Sequence, residues 1–130
     1  MILDTSFLID LMNSQRTAVE KADAIEREGV VQRIPAMTIQ ELYIGVGYTD
    51  TPDDERRKIE AIVDSRPVVD TDAKIARKAG TIDGRLRRDG ERIDAGDAAI
   101  GATGVVMDEP VLTGNPRHFR HIPGLDVETY

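Results

Sequence analysis

The sequence predicts an α/β fold, a three-layer α/β/α sandwich with a mostly parallel central sheet. Short apolar runs such as Met1 to Leu3, Pro67 to Val69 and Pro110 to Leu112 recur between longer segments with helical spacing. Strands that alternate with helices are joined by crossovers, which make neighbouring strands parallel and cover both faces of the sheet. The length agrees: 130 residues, 40% of them hydrophobic, suit a single domain over 1–130 with little room for a second core. No repeat, linker or low-complexity tract divides the chain.

Each element has its own signal. Met1 to Asp4 is an apolar run ending in acid and reads as a buried strand, and Thr5 or Ser6 can cap a helix continuing through Phe7, Leu8, Ile9, Leu11 and Met12. Val19, Ala22 and Ile25 mark a second helix from Thr17 to Glu28, which Gly29 stops. A strand is expected around Arg33 to Met37, with Thr38 opening the next helix. Thr51-Pro52-Asp53-Asp54-Glu55 places a capping hydroxyl, a first-turn proline and three acids at a helix start, and that helix must stop before Pro67. Pro67 to Val69 is a strand, and Ile75, Ala79, Ile82 and Leu86 form one face of a helix from Asp72 to Arg88, ended by Asp89-Gly90. Asp97 to Val106 is small and apolar, a helix buried on most sides, with Gly101 and Gly104 allowing close approach. Pro110 to Thr113 and Leu125 to Val127 complete the strands.

Composition narrows the function. With no cysteine there is neither a disulfide nor a thiolate metal site, so a metal would need oxygen ligands or the two histidines, His118 and His121. No run approaches membrane-spanning length and Asp4 interrupts the opening apolar residues, so the chain reads as cytoplasmic with no membrane segment. A net charge of -7 argues against a broad nucleic-acid footprint, although Arg56-Arg57-Lys58, Arg85 to Arg92, and Arg117 with Arg120 remain as local clusters.

In such a sheet ligands bind beyond the carboxyl ends of the strands, which singles out Asp4, Glu41, Asp94 and Asp97. Each has a structural alternative, since an acid near a helix N-terminus can simply satisfy free N–H groups, and Thr38 with Glu41 is a capping-box pattern. His118 and His121 read as surface groups near a phosphate path, for want of other ligands to complete a softer site. Arg85, Arg87, Arg88 and Arg92 read as a solvated helix face, relevant to an anionic ligand only if they border the acidic pocket.

Four segments, in order, resemble the PIN-domain family and its VapC-type toxins: Asp4 to Asp10, Thr38 to Gly45, Asp97 to Gly104, and Val111 to Phe119 with Ile122 to Leu125. The resemblance implies a PIN-like fold and a metal-dependent endoribonuclease, the toxin of a toxin–antitoxin pair, leaving 5′-phosphate and 3′-hydroxyl ends. It implies Asp4, Glu41 and Asp97 as metal-site carboxylates, Asp4 and Asp97 foremost as direct ligands, supported by Ser6, Asp94 and Thr113. The cofactor it implies is Mg²⁺ or Mn²⁺, a hard cation that takes oxygen ligands and keeps several waters. Asn115 stands at the catalytic position where many relatives carry a fourth acid, which weakens or removes a second ion site. The implied partners are RNA, a cognate antitoxin whose tail lies in the cleft, and a second copy of the chain.

The alternative is a catalytically weak or inactive PIN-like module that binds RNA or regulates. The loss of charge at Asn115 motivates it, and the survival of Asp4, Glu41 and Asp97 counts against it. An aspartyl-nucleophile phosphatase would need a second Asp where Ser6 stands, and a receiver domain would need a lysine after a strand, which this chain lacks.

Overall fold

The computed structural model describes residues 1–130. Five short strands, β1 (Ile2–Leu3), β2 (Ile34–Pro35), β3 (Val68–Val69), β4 (Val111–Leu112) and β5 (Val127–Glu128), alternate with six helices. The helices are α1 (Thr5–Met12), α2 (Arg16–Arg27), α3 (Ala36–Tyr48), α4 (Pro52–Val63), α5 (Ala73–Arg88) and α6 (Ala95–Met107), and Pro116–His118 adds one 3₁₀ turn. β1 pairs with β4 and β4 with β5, β2 pairs with β3, and every pairing is parallel. A parallel bridge between Ile2 and Arg33 joins the two groups, with Leu3 N–H donating to Arg33 O and Arg33 N–H to Met1 O, both at 2.9 Å. The spatial order is therefore β3-β2-β1-β4-β5, parallel throughout where the sequence predicts a mostly parallel sheet.

The side-chain alternation of a strand splits the core into two layers. Leu3 and Leu112 face Phe7, Leu8, Ala22, Ile25, Leu42 and Ile59 from α1 to α4. Ile2 and Val111 face Ile75, Ile82, Leu86 and Ile100 from α5 and α6, together with Phe119 and Ile122. Full burial of each such side chain contributes about 1.5–3 kcal/mol, so two strand residues per face suffice to fix the register.

Several boundaries move, for local reasons. Gln15 rather than Thr17 starts α2, its side chain accepting from Ala18 N–H at 2.8 Å. Pro35 is the N-cap of α3, so the helix opens at Ala36, before the expected Thr38. Thr38 lies inside the helix, and its hydroxyl donates to Leu3 O at 3.1 Å. The expected Thr38–Glu41 capping box therefore does not form. Thr51 begins α4 without a side-chain cap, and its own N–H goes to Thr49 Oγ1 at 3.2 Å. α6 begins at Ala95, two residues ahead of the expected Asp97. The last strand falls at Val127–Glu128 and not at Leu125–Val127, because Gly124 turns the chain at φ +76° and Leu125 packs over Gly104. A Cβ at Gly104 would lie 2.7 Å from Leu125 Cδ1, and one at Gly101 2.4 Å from Ile122 Cδ1, the close approach those glycines predict.

Candidate active site

β1 is the strand from which the chain crosses to β2 on one side and, later, returns to β4 on the other. Its carboxyl end is thus a switch point of the parallel sheet, the place where such sheets bind ligands. Asp4 sits there as the N-cap of α1, only 4% exposed. Its Oδ2 accepts from Ser6 Oγ at 2.8 Å and from Thr113 Oγ1, at the end of β4, at 2.7 Å. No protein donor reaches Oδ1. Since no fully enclosed side-chain oxygen lacks a partner, Oδ1 keeps some access from outside.

Glu41 comes from the second turn of α3 and accepts from Thr5 Oγ1 at 2.6 Å. α3 lies against α6, and a Cβ at Gly96 would stand 2.8 Å from Glu41 Oε2, so glycine is what admits that carboxylate. Asp94 is the N-cap of α6 and Asp97 lies in its first turn. Asp97 Oδ2 is 3.2 Å from His118 Nδ1.

Asp4 and Asp94 stand at helix N-termini without capping them. Neither Asp4 nor Asp94 accepts a side-chain cap bond. By contrast Asp72, at the start of α5, accepts from Ile75 N–H at 2.9 Å as a capping acid should. Asp4 and Asp94 therefore do not act as capping side chains, while Asp97 keeps the first-turn place that the structural alternative gave it.

Electrostatics record the crowding. Burial, and then the charge of Asp4, push Asp97 up to about 6; Glu41 and Asp94 add to the rise and His118 opposes it. Burial likewise raises Glu41, with Asp4 and Asp94 adding and the Thr5 hydrogen bond opposing. Like charges held near one another in a half-dry site resist simultaneous ionisation unless a cation joins them.

A cleft of about 410 Å³ opens beside Asp94 and Asp97, lined also by Arg92, Arg117, His118 and His121. His118, expected only near the phosphate path, contacts a site carboxylate while staying 43% exposed. Of the arginines after α5's midpoint, Arg92 borders the cleft; Arg87 instead pairs with Asp83 at 2.9 Å on the exposed helix face. Asn115 is fixed by its backbone N–H to Thr113 Oγ1 at 2.9 Å, and its amide makes no hydrogen bond to any of the acids. Thr5 and Gly96 were not singled out as site residues by the sequence. Thr5 adjoins Asp4 and could have been found by position, whereas Gly96 acquires meaning only when α3 meets α6.

All donors here are oxygen, as hard divalent cations require, and no three Asp, Glu or His side chains enclose an ion by themselves.

The molecule is an all-parallel α/β protein with a cluster of carboxylates beside the switch point of its sheet. The chain belongs to the PIN-domain family, whose model matches residues 1–125, and within it to the VapC endonucleases, the toxins of toxin–antitoxin pairs. It is 30% identical over 101 residues to the tRNA(fMet)-specific endonuclease VapC of Salmonella typhimurium, covering 75% of this chain and 74% of that protein. To the enzyme of the same description from Shigella flexneri it is 26% identical over 129 residues, covering 99% and 96%. Among solved structures, the VapBC2 complex of Rickettsia felis bound to a DNA fragment from its promoter superposes with a TM-score of 0.90 at 19% identity, over 99% of this chain and 97% of that one. DNA-bound VapBC of Salmonella typhimurium gives 0.87 at 24% identity, over 98% and 96%. No helix is long and apolar enough to cross a membrane.

Proposed function

We propose that this protein is an endoribonuclease that hydrolyses RNA phosphodiester bonds with Mg²⁺ or Mn²⁺ at the Asp4, Glu41 and Asp97 carboxylates. The observation that supports it most is the set of acids gathered near the β1 switch point, where Asp4 and Asp94 make no side-chain cap bond and Asp4 and Glu41 are held by hydroxyls instead. Asp4 and Asp97 would hold the cation directly, Asp4 through the open Oδ1. Ser6 and Thr113 fix the Asp4 rotamer, Thr5 fixes Glu41, and Asp94 adds negative charge. When bound, the ion supplies charge neutralisation at the phosphate and a water acidic enough to attack at neutral pH. Arg92, Arg117 and His118 line the adjoining cleft and would take the backbone phosphates on either side of the cut, which lets an acidic protein grip RNA over a short basic strip.

A cognate antitoxin and a second copy of the chain are the proposed protein partners. Tyr43, Ile44 and Tyr48 of α3 are exposed, Tyr48 at 92%, and offer an apolar surface for either. Sedimentation should show a dimer; a monomer across a wide concentration range would remove that part.

Purified protein incubated with total RNA, in each metal and in chelator, tests the activity. Metal-dependent scission with mapped 5′-phosphate ends supports the reading. RNA binding without scission in any metal would favour the inactive module suggested by Asn115.

A further inference from the structure

Beyond β5 the chain turns back onto α1. The Tyr130 ring packs edge-on against Phe7, with centroids 5.1 Å apart at 72°, and its hydroxyl donates to Asp10 Oδ2 at 2.5 Å. The same hydroxyl closes over the loop after β4, since a Cβ at Gly114 would lie 2.7 Å from the phenol oxygen and 3.5 Å from Ser6 Oγ. Gly114 N–H donates to Ser6 Oγ at 2.9 Å, and Ser6 Oγ donates to Asp4 Oδ2 at 2.8 Å. Burial and the Asp10 hydrogen bond raise the phenol's affinity for its proton, so the group remains a donor. Two residues earlier, Glu128 of β5 pairs with Lys21 of α2 at 3.1 Å.

None of Phe7, Asp10, Gly114 or Tyr130 belongs to the carboxylate cluster, yet Phe7 and Asp10 hold Tyr130, and Tyr130 and Gly114 meet at the serine that donates to Asp4. α1 carries Asp4, Thr5 and Ser6 in its first turn and Asp10 in its second, so a clamp on Asp10 holds the whole first turn against the end of β4. We propose that Tyr130 is a positioning residue for the Asp4 carboxylate: anchored on Phe7 and Asp10, its hydroxyl fixes the Ser6–Gly114 contact and thereby the direction in which Asp4 presents its open oxygen. The inference rests on the nuclease reading above for its consequence in catalysis, and on the geometry alone for the clamp.

Tyr130→Phe tests it, because phenylalanine keeps the ring on Phe7 and removes only the hydroxyl. The variant should stay folded, with a melting temperature within about 5 °C of wild type. Amide exchange at Gly114, read by NMR in chelator, should quicken severalfold, and kcat for RNA should fall by roughly tenfold, the lower range for losing an outer-shell partner, with KM unchanged. Because the effect passes through Ser6, Tyr130→Phe added to Ser6→Ala should cost little beyond Ser6→Ala alone. Wild-type exchange at Gly114, or a loss that adds in full to Ser6→Ala, would overturn the proposal and leave Tyr130 as packing. Were the wild type to cleave no RNA in any metal, the nuclease reading would fall, while the exchange measurement would still decide the clamp.

Discussion

The two ends of the sheet treat buried acid in opposite ways. At the amino-terminal edge, Glu109 precedes β4 and meets two cations, the Met1 ammonium at the start of β1 and Arg33, whose Nε is 2.7 Å away just before β2. Burial alone would raise Glu109, but those hydrogen bonds and charges outweigh it and hold the carboxyl below its usual range. At the carboxyl edge of the same strands, Asp4, Glu41, Asp94 and Asp97 crowd together, only Asp97 among them meets a histidine, the half-exposed His118, and Asp97 is raised. One edge satisfies its charge within the chain and serves the fold. The other crowds its acids together, which raises Asp97 and Glu41, and that surplus of negative charge is what the proposed chemistry would use.

Neutralising the surplus should break the comparison most visibly. Asp4→Asn and Asp97→Asn should each lower RNA cleavage by more than the roughly 10- to 100-fold typical of an outer-shell loss, with stability in chelator unchanged or increased. The pH dependence gives the sign. Asp97 binds its proton more tightly folded than unfolded, so in chelator wild-type stability falls as pH rises from about 4 to about 6. Thermal melts across that window should be flatter for Asp97→Asn; a large loss of stability in the variant would return Asp97 to a structural role.

Glu109→Gln probes the opposite edge and should show the reverse pattern. Removing the acid strands two cations, at a cost of about 1–3 kcal/mol at neutral pH, with cleavage per folded molecule unchanged. Since Glu109 is held below its ordinary value of 4.5, its contribution is present above that pH and fades as pH falls through the folded value. Denaturant melts at neutral and acidic pH should therefore converge for variant and wild type.

A finer test lies at α6. Gly96→Ala places a methyl against Glu41 Oε2, the mobile end of a side chain, so it should displace the carboxylate and lower activity severalfold with little change in stability. Gly80→Ala, with open space at the new Cβ, should instead raise stability by about 0.5–1 kcal/mol and leave cleavage alone. Equal behaviour of the two would mean Gly96 is not there for Glu41.

The smallest effect is expected at Asn115. Asn115→Asp adds one charge to the surplus, so calorimetry should show tighter Mg²⁺ or Mn²⁺ binding and cleavage should saturate at lower metal, while stability in chelator drops. Because no hydrogen bond ties the Asn115 amide to the acids, an unchanged affinity would place it outside the site.

What the sequence determined by itself is local. Periodicity placed the six helices, apolar runs placed the strands within a residue or two, and alternation required parallel neighbours. Strand ends ranked Asp4, Glu41, Asp94 and Asp97 as candidates, and the order of four motifs carried the family. The sequence alone could not decide whether those acids cap helices or face a ligand, because both readings share one residue pattern. Tertiary structure bears on the capping half of that choice: Asp4 and Asp94 make no side-chain cap bond, and Thr38 is drawn to Leu3 O and Glu41 to Thr5, contacts across 35 and 36 residues that no local rule encodes. The same holds for His118 on Asp97, Gly96 under Glu41 and Tyr130 on Asp10. A hydrogen bond is chosen by which partners the packed layers bring within about 3 Å, and that choice is made only when the helices close over the sheet.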